Sequence, residues 1–137
     1  MAQIAVSPFM MRDCLLTVAA DSYEKHVSAV EFVPGDNAPV TWKGLTPAAV
    51  FSFGKSSTWT CNLSFAQDWA TVNSLSRYLF EHEGEEIVVV FEPVSGGPSA
   101  TATLIVVPGS IGGQVDSVAV STVTLGCKAK PVLEAVA

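Results

Sequence analysis

Between residues 57 and 65 apolar and polar positions alternate without a break. Trp59, Cys61, Leu63 and Phe65 fall on one face, and Thr58, Thr60, Asn62 and Ser64 on the other. Successive Cβ atoms of a strand point to opposite sides of the sheet, so this period of two predicts a half-buried strand. The rhythm then changes. From Asp68 to Glu83, ahead of Gly84, the residues Leu75, Val72, Leu79, Trp69 and Phe80 make a stripe interrupted by Ser76. At about 100° per residue that stripe is roughly 140° wide, which predicts an amphipathic helix over 68–83. Residues 87–91, Ile-Val-Val-Val-Phe, are continuously apolar and read as a buried strand. The predicted core is Trp59, Cys61, Leu63, Phe65, Trp69, Val72, Leu75 and Leu79.

The remaining periodic segments are all strand-like. They cover 14–18, 25–33, 100–107 and 115–127, with a short piece at Val40 and Trp42. Asp21-Ser22, Pro34-Gly35-Asp36-Asn37 and Val94-Ser-Gly-Gly-Pro-Ser supply turn chemistry between them. About seven strands and one flanking helix predict a mainly β fold, an antiparallel β-sandwich or barrel and not a βαβ array.

Three stretches fall outside that pattern. Residues 1–11 lack periodicity but include Phe9, Met10 and Met11, and read as an N-terminal arm. Residues 12–132 form one domain, and 133–137 a short C-terminal tail. Within the domain, 34–56 is long for a connection and carries Trp42, Leu45, Val50, Phe51 and Phe53. Such residues do not suit a solvated linker. The segment is either a hairpin folded onto its own core or one that contacts another subunit.

Composition narrows the class. Of 137 residues, 49% are hydrophobic and 15% charged, which excludes a disordered chain. Thirteen acidic against seven basic residues give a net charge of −6, unlike a nucleic-acid binder that grips phosphates with clustered Lys and Arg. A protein that surrounds nucleic acid without gripping it remains compatible. No run approaches the roughly 18 apolar residues of a membrane span, and the first residues carry no basic export signal. Cys14, Cys61 and Cys127, odd in number and far apart, read as reduced thiols packed as small hydrophobes.

No constellation of enzyme residues emerges. There is no Gly-x-Ser-x-Gly elbow, no phosphate-cradling Gly-x-x-x-x-Gly-Lys and no His-Glu-x-x-His. Glu81-His82-Glu83 does not favour a metal, because adjacent helix residues diverge by about 100°. No catalytic, cofactor or metal site is therefore expected. Glu81, Glu83, Glu85 and Glu86 nevertheless crowd the end of the predicted helix, where the carbonyl dipoles disfavour carboxylates. Water screens them, or they pair with cations of an adjacent subunit, or they line a surface that repels phosphate.

Several segments together resemble a known family. They are Trp42-Lys-Gly-Leu-Thr-Pro47, the run from Trp59 to Trp69, Ser74-Leu-Ser-Arg-Tyr-Leu79, Phe91-Glu-Pro93 and residues 111–126. In their order they resemble the major tail tube proteins of long, non-contractile-tailed (siphophage-type) bacteriophages. The resemblance implies a subunit of hexameric rings that stack into a tail tube in the virion, assembled in the host cytoplasm around a tape-measure protein. A tail terminator and a baseplate or distal tail protein would adjoin it. Double-stranded DNA would pass through the lumen without specific binding, and no membrane is involved. By analogy the arm and 34–56 make ring-to-ring contacts, with Phe9, Met10, Trp42, Leu45, Val50, Phe51 and Phe53 as candidates. Glu81, Glu83, Glu85 and Glu86 are the acidic subunit-contact candidates.

Two other readings stay open. One is a different ring-forming tail component of similar fold, a tail terminator or a baseplate hub ring. The other is a carbohydrate- or receptor-binding β-sandwich module, which wants Trp and Tyr exposed on one concave face. Which strand face would line a lumen is not legible at this stage, because a one-residue register error exchanges inside for outside.

Overall fold

The alternation around Cys61 is the centre of one of three sheets. The computed structural model describes residues 2–134. Among them run β1 (Leu15–Val18), β2 (Asp21–Ser22), β3 (Val27–Gly35), β4 (Val40–Lys43), β5 (Val50–Phe53) and β6 (Thr58–Ala66). A helix α1 (Leu75–Glu81) follows, then β7 (Glu86–Glu92), β8 (Ala100–Ile105), β9 (Val120–Gly126) and β10 (Val132–Leu133). The fold is mainly β, antiparallel throughout, with one helix and no closed barrel. Three more strands form than the pattern predicted, because β2, β5 and β10 are too short or too uniformly exposed to alternate visibly.

A five-stranded sheet of order β10-β8-β7-β1-β2 faces a three-stranded sheet of order β3-β6-β9. Both outer strands of the smaller sheet run antiparallel to β6, so β3 and β9 are parallel to each other and each leaves one edge open. Pro34 and Glu31 lie on the β3 edge, the kind of residues that discourage uncontrolled pairing there. The two sheets meet at one corner through the bridge between Leu104 and Cys127, backed by the Lys128 N–H donating to the Thr103 carbonyl at 2.9 Å.

The core lies between the sheets. Leu16, Val18, Val89, Phe91, Ala102 and Leu104 point in from one side, and Cys61, Leu63, Phe65, Val123 and Leu125 from the other. Phe32 of β3 meets Phe91 of β7 across the gap, with ring centroids 6.4 Å apart. Leu75 and Leu79 of α1 and Tyr23 complete the cluster. Burial of each such side chain contributes on the order of 1.5–3 kcal/mol. Cys61 is fully buried and, like Cys14 and Cys127, unpaired. Burial, helped by neighbouring Cys127, pushes its thiol up to about 12.

The helix is shorter than the 68–83 expected from the stripe. Asp68 does cap, but it caps a turn. Its Oδ1 accepts the N–H groups of Ala70 and Thr71, each at 3.1 Å, and these bonds lower its pKa. Thr71 and Val72 are β-branched, and Asn73 sits at φ 64°, a left-handed conformation that ends any helical run. Ser74 then becomes the true N-cap, its Oγ accepting from the Arg77 N–H at 3.5 Å. Ser74 and Ser76 are both buried and tie the turn to the helix: the Asp68 N–H donates to the Ser76 hydroxyl at 3.2 Å. The consequences correct the predicted core. Val72 leaves the stripe and is 80% exposed, while Trp69 and Trp59 are half-buried. Trp69 packs edge-on against exposed Phe80 with centroids 6.2 Å apart.

The last strand from residue 115 also begins late, at Val120. The expected tail joins the sheet: Val132 and Leu133 pair with β8, and the Glu134 N–H donates to Ser99. The rest of that tail, 135–137, lies outside the described residues, as does Met1 of the expected arm. The other arm residues are exposed and form neither strand nor helix.

Two outcomes test this packing. Val72→Ala should change unfolding free energy by less than about 0.5 kcal/mol, whereas Leu79→Ala should cost about 2–5 kcal/mol in urea melts. Because the folded Cys61 thiol titrates near 12 and an unfolded one near 9, the unfolded chain loses this proton first as pH rises. The sign is then fixed: stability falls from about pH 9 toward pH 12. Cys61→Ala should flatten that alkaline loss relative to wild type, while lowering stability at pH 7.

Candidate assembly interface

The segment 34–56 resolves into a hairpin, β4 paired with β5, hydrogen-bonded to neither larger sheet. Its register places Val40 opposite Phe53 and Trp42 opposite Phe51. Alternation therefore puts these four side chains on one face, with Thr41, Ser52, Lys43 and Val50 on the reverse. Trp42 and Phe51 lie against each other at 6.1 Å between ring centroids. On the polar face the Thr41 and Ser52 hydroxyls share a hydrogen bond of 3.1 Å. Trp42 and Phe53 are each 61% exposed, so the apolar face rests on nothing in its own chain. The alternative of a hairpin folded onto its own core is excluded among the described residues.

The turn of the hairpin explains one glycine. Gly44 donates its N–H to Ala49, and a Cβ at position 44 would lie 2.7 Å from the Ala49 Cβ. A side chain there would force the two strand ends apart. Leu45 stands fully exposed at this tip. From Asn37 to Gln67 there is no carboxylate, while Lys43 and Lys55 both occur, so the hairpin region is basic in an acidic chain. Lys55 pairs with Asp36 at 3.0 Å at the hairpin's base, leaving Lys43 on the reverse face.

Of the other apolar candidates, Phe9 and Met10 are exposed on the arm together with Ile4 and Val6. A further exposed set was not singled out by the sequence pattern. Residues 106–119 connect β8 to β9 and present Ile111, Val115 and Val118. Gln67, just past β6, clamps this connection. Its Nε2 donates to the Gly112 carbonyl and its Oε1 accepts from the Gly112 N–H, both at 2.9 Å. Its backbone N–H donates to Ala119. At the start of the same connection Gly109 passes so close to Phe65 and Ser121 that a Cβ would lie 3.0 Å from each. Gly112-Gly113 and Asp116-Ser117 were the signals that this piece is loop and not strand.

The acidic candidates separate. Only Glu81 lies in the helix, where it pairs with Arg77 at 3.4 Å. Glu83 and Glu85 follow the helix, and Glu86 opens β7. Glu86 meets Lys128 at 3.2 Å and Glu85 approaches His82 at 3.9 Å. Glu83 makes no ion pair among the described residues. The expected conflict between four carboxylates and one helix dipole is thus confined to Glu81. All these pairs are exposed, and each contributes about 0–1 kcal/mol.

A cleft of about 320 Å³ opens between the edges of β1 and β3, where Leu16, Glu24, Val27 and Val30 line it. Phe91 is its one aromatic residue, a poor platform for stacking a sugar ring. Among the described residues no three His, Cys, Asp or Glu side chains cluster as metal ligands, and no helix is long and apolar enough to cross a membrane.

No protein-family model matches the chain, and no curated protein matches it. Solved structures do. One is a chain from the sheath/tube terminator, in the extended state, of the PVC extracellular contractile injection system. It shares 11% identity at a TM-score of 0.63, over 96% of this chain and 100% of that one. Another comes from the extended sheath–tube complex of the same kind of system, with 11% identity and a TM-score of 0.64, over 94% and 93% of the two chains. At that identity the likeness is one of fold.

The geometry generates one expectation for the hairpin. Trp42→Ser combined with Phe51→Ser should leave the melting of the unassembled chain nearly unchanged, by less than about 1 kcal/mol, because the face supports no core. The same double substitution should abolish self-association measured by sedimentation.

Proposed function

We propose that the chain is a structural subunit of a ring-forming, phage-tail-like tube, of the terminator kind that closes a tube end. The observation that carries this reading is the one-sided apolar hairpin, left uncovered on a fold shared over its full length with a chain from a sheath/tube terminator structure. An isolated two-stranded hairpin is marginal in water, so an aromatic face of this kind needs a partner surface. The arm and the Gln67-clamped connection add exposed apolar residues at other points of the subunit. Ring assembly with six-fold symmetry, a tape-measure protein in the bore and neighbouring tail proteins would follow from the family resemblance. A structural role within the tail of a virion or tail-like particle accounts for these surfaces without chemistry at any residue.

The second reading is the stacking tube subunit itself. The comparable likeness to a chain of a sheath–tube complex favours it, as does the resemblance to tail tube proteins. The two differ in one readout. Negative-stain images of the purified protein should show single rings that do not stack if the subunit terminates a tube, and long tubes if it builds one. Removal of residues 2–11 should leave the domain folded and weaken association. A chain that stays monomeric across concentration and salt, also in the presence of tail initiation proteins, would overturn both readings.

A further inference from the structure

The two broad outward faces of the sandwich are chemically unlike. On the three-stranded sheet the register turns Thr60, Asn62, Ser64, Thr122, Thr124 and Glu31 outward. Glu31 is the one charged side chain among that sheet's outward positions. The polar groups satisfy one another across the strands. Thr124 Oγ1 donates to Asn62 Oδ1 at 2.9 Å, the Ser64 and Thr122 hydroxyls meet at 3.1 Å, and Thr60 Oγ1 donates to the Val33 carbonyl at 3.4 Å. The outward face of the five-stranded sheet instead exposes Leu15, Val88 and Ile105, with Glu86 paired to Lys128 beside them.

We propose that, in the ring assembly put forward above and resting on that reading, the outward face of β3, β6 and β9 is the wall past which double-stranded DNA travels. The face of the five-stranded sheet is then turned toward protein. Each Lys or Arg that meets a phosphate releases counterions and adds adhesion, so a wall for a sliding polyanion must present no cations. This face presents none. Its hydroxyls and amide are already paired laterally, which leaves few free donors to hold a phosphate. Repeated around a ring, Glu31 adds a circle of carboxylates that repels phosphate at a distance of about a Debye length. The opposite face has apolar side chains that contact with protein would remove from water.

A reconstruction of the assembled rings should place Thr122 in the bore and Val88 away from it. Rings with the five-stranded sheet in the bore overturn this inference while leaving the assembly reading intact. Failure to form rings overturns the assembly reading, and this inference with it. A second measurement uses short double-stranded DNA as the probe. Wild-type rings should retain none at moderate salt. Thr122→Lys rings, or Thr124→Lys rings where those fail to assemble, should gain nuclease-protected DNA that is released as salt rises. Thr103→Lys rings should bind DNA that nuclease removes. Protection by Thr103→Lys, or nuclease-sensitive DNA on both Thr122→Lys and Thr124→Lys, runs against the inference. So does a polypeptide held against this wall in place of DNA in particles purified from cells.

Discussion

The pleat of β6 is the constraint on which the structure depends. This strand is paired along both edges, so its alternation sets the inside and outside of β3 and β9 as well. Cys61, Leu63 and Phe65 are inward and almost fully excluded from water. Shifting β6 by one residue would bury Thr60, Asn62 and Ser64 in their place. Phe65 extends the influence further, since the connection to β9 has to pass it as glycine at position 109. Gln67, two residues beyond, then fixes where that connection goes.

From this framework three apolar surfaces project, held with different degrees of order. The arm has no ladder of its own, the hairpin has one ladder and no layer beneath it, and the 106–119 connection is tied to β6 through Gln67. The chain thus divides its apolar residues between a dry sandwich and a set of exposed contacts. A low content of charge is consistent with this division, because surfaces that become buried between proteins are depleted of charged residues at their centres.

Much of the sandwich was legible in the sequence, and the reason is physical. β6 and β7 have uninterrupted patterns because one or both faces are buried. The helix was legible only in its second half. Asp68 satisfies backbone donors of a turn as readily as those of a helix, and Val72 fits a helical stripe whether or not a helix forms. β5 was obscured because Val50, Phe51 and Phe53 are apolar on both faces of an exposed strand. The candidate interface was visible as an excess of aromatic residues in a long connection. Its one-sidedness was not, since that depends on the pairing of Val40 with Phe53 and Trp42 with Phe51. The role of Gln67 depends on a contact 45 residues away and leaves no local mark.

The odd number of strands in the smaller sheet has a directional consequence. Its free edges, β3 and β9, point the same way. A two-fold dimer formed by joining like edges would be antiparallel, and such a pair closes on itself. Copies related by rotation about an axis along the strands keep a common direction, so a junction of β9 with the next copy's β3 would be parallel, the slightly weaker ladder. Backbone hydrogen bonding alone therefore favours the closed pair over the ring. Selection of the ring would fall to side chains away from the edges, which gives the uncovered hairpin a kinetic role: steering encounters away from a dead end.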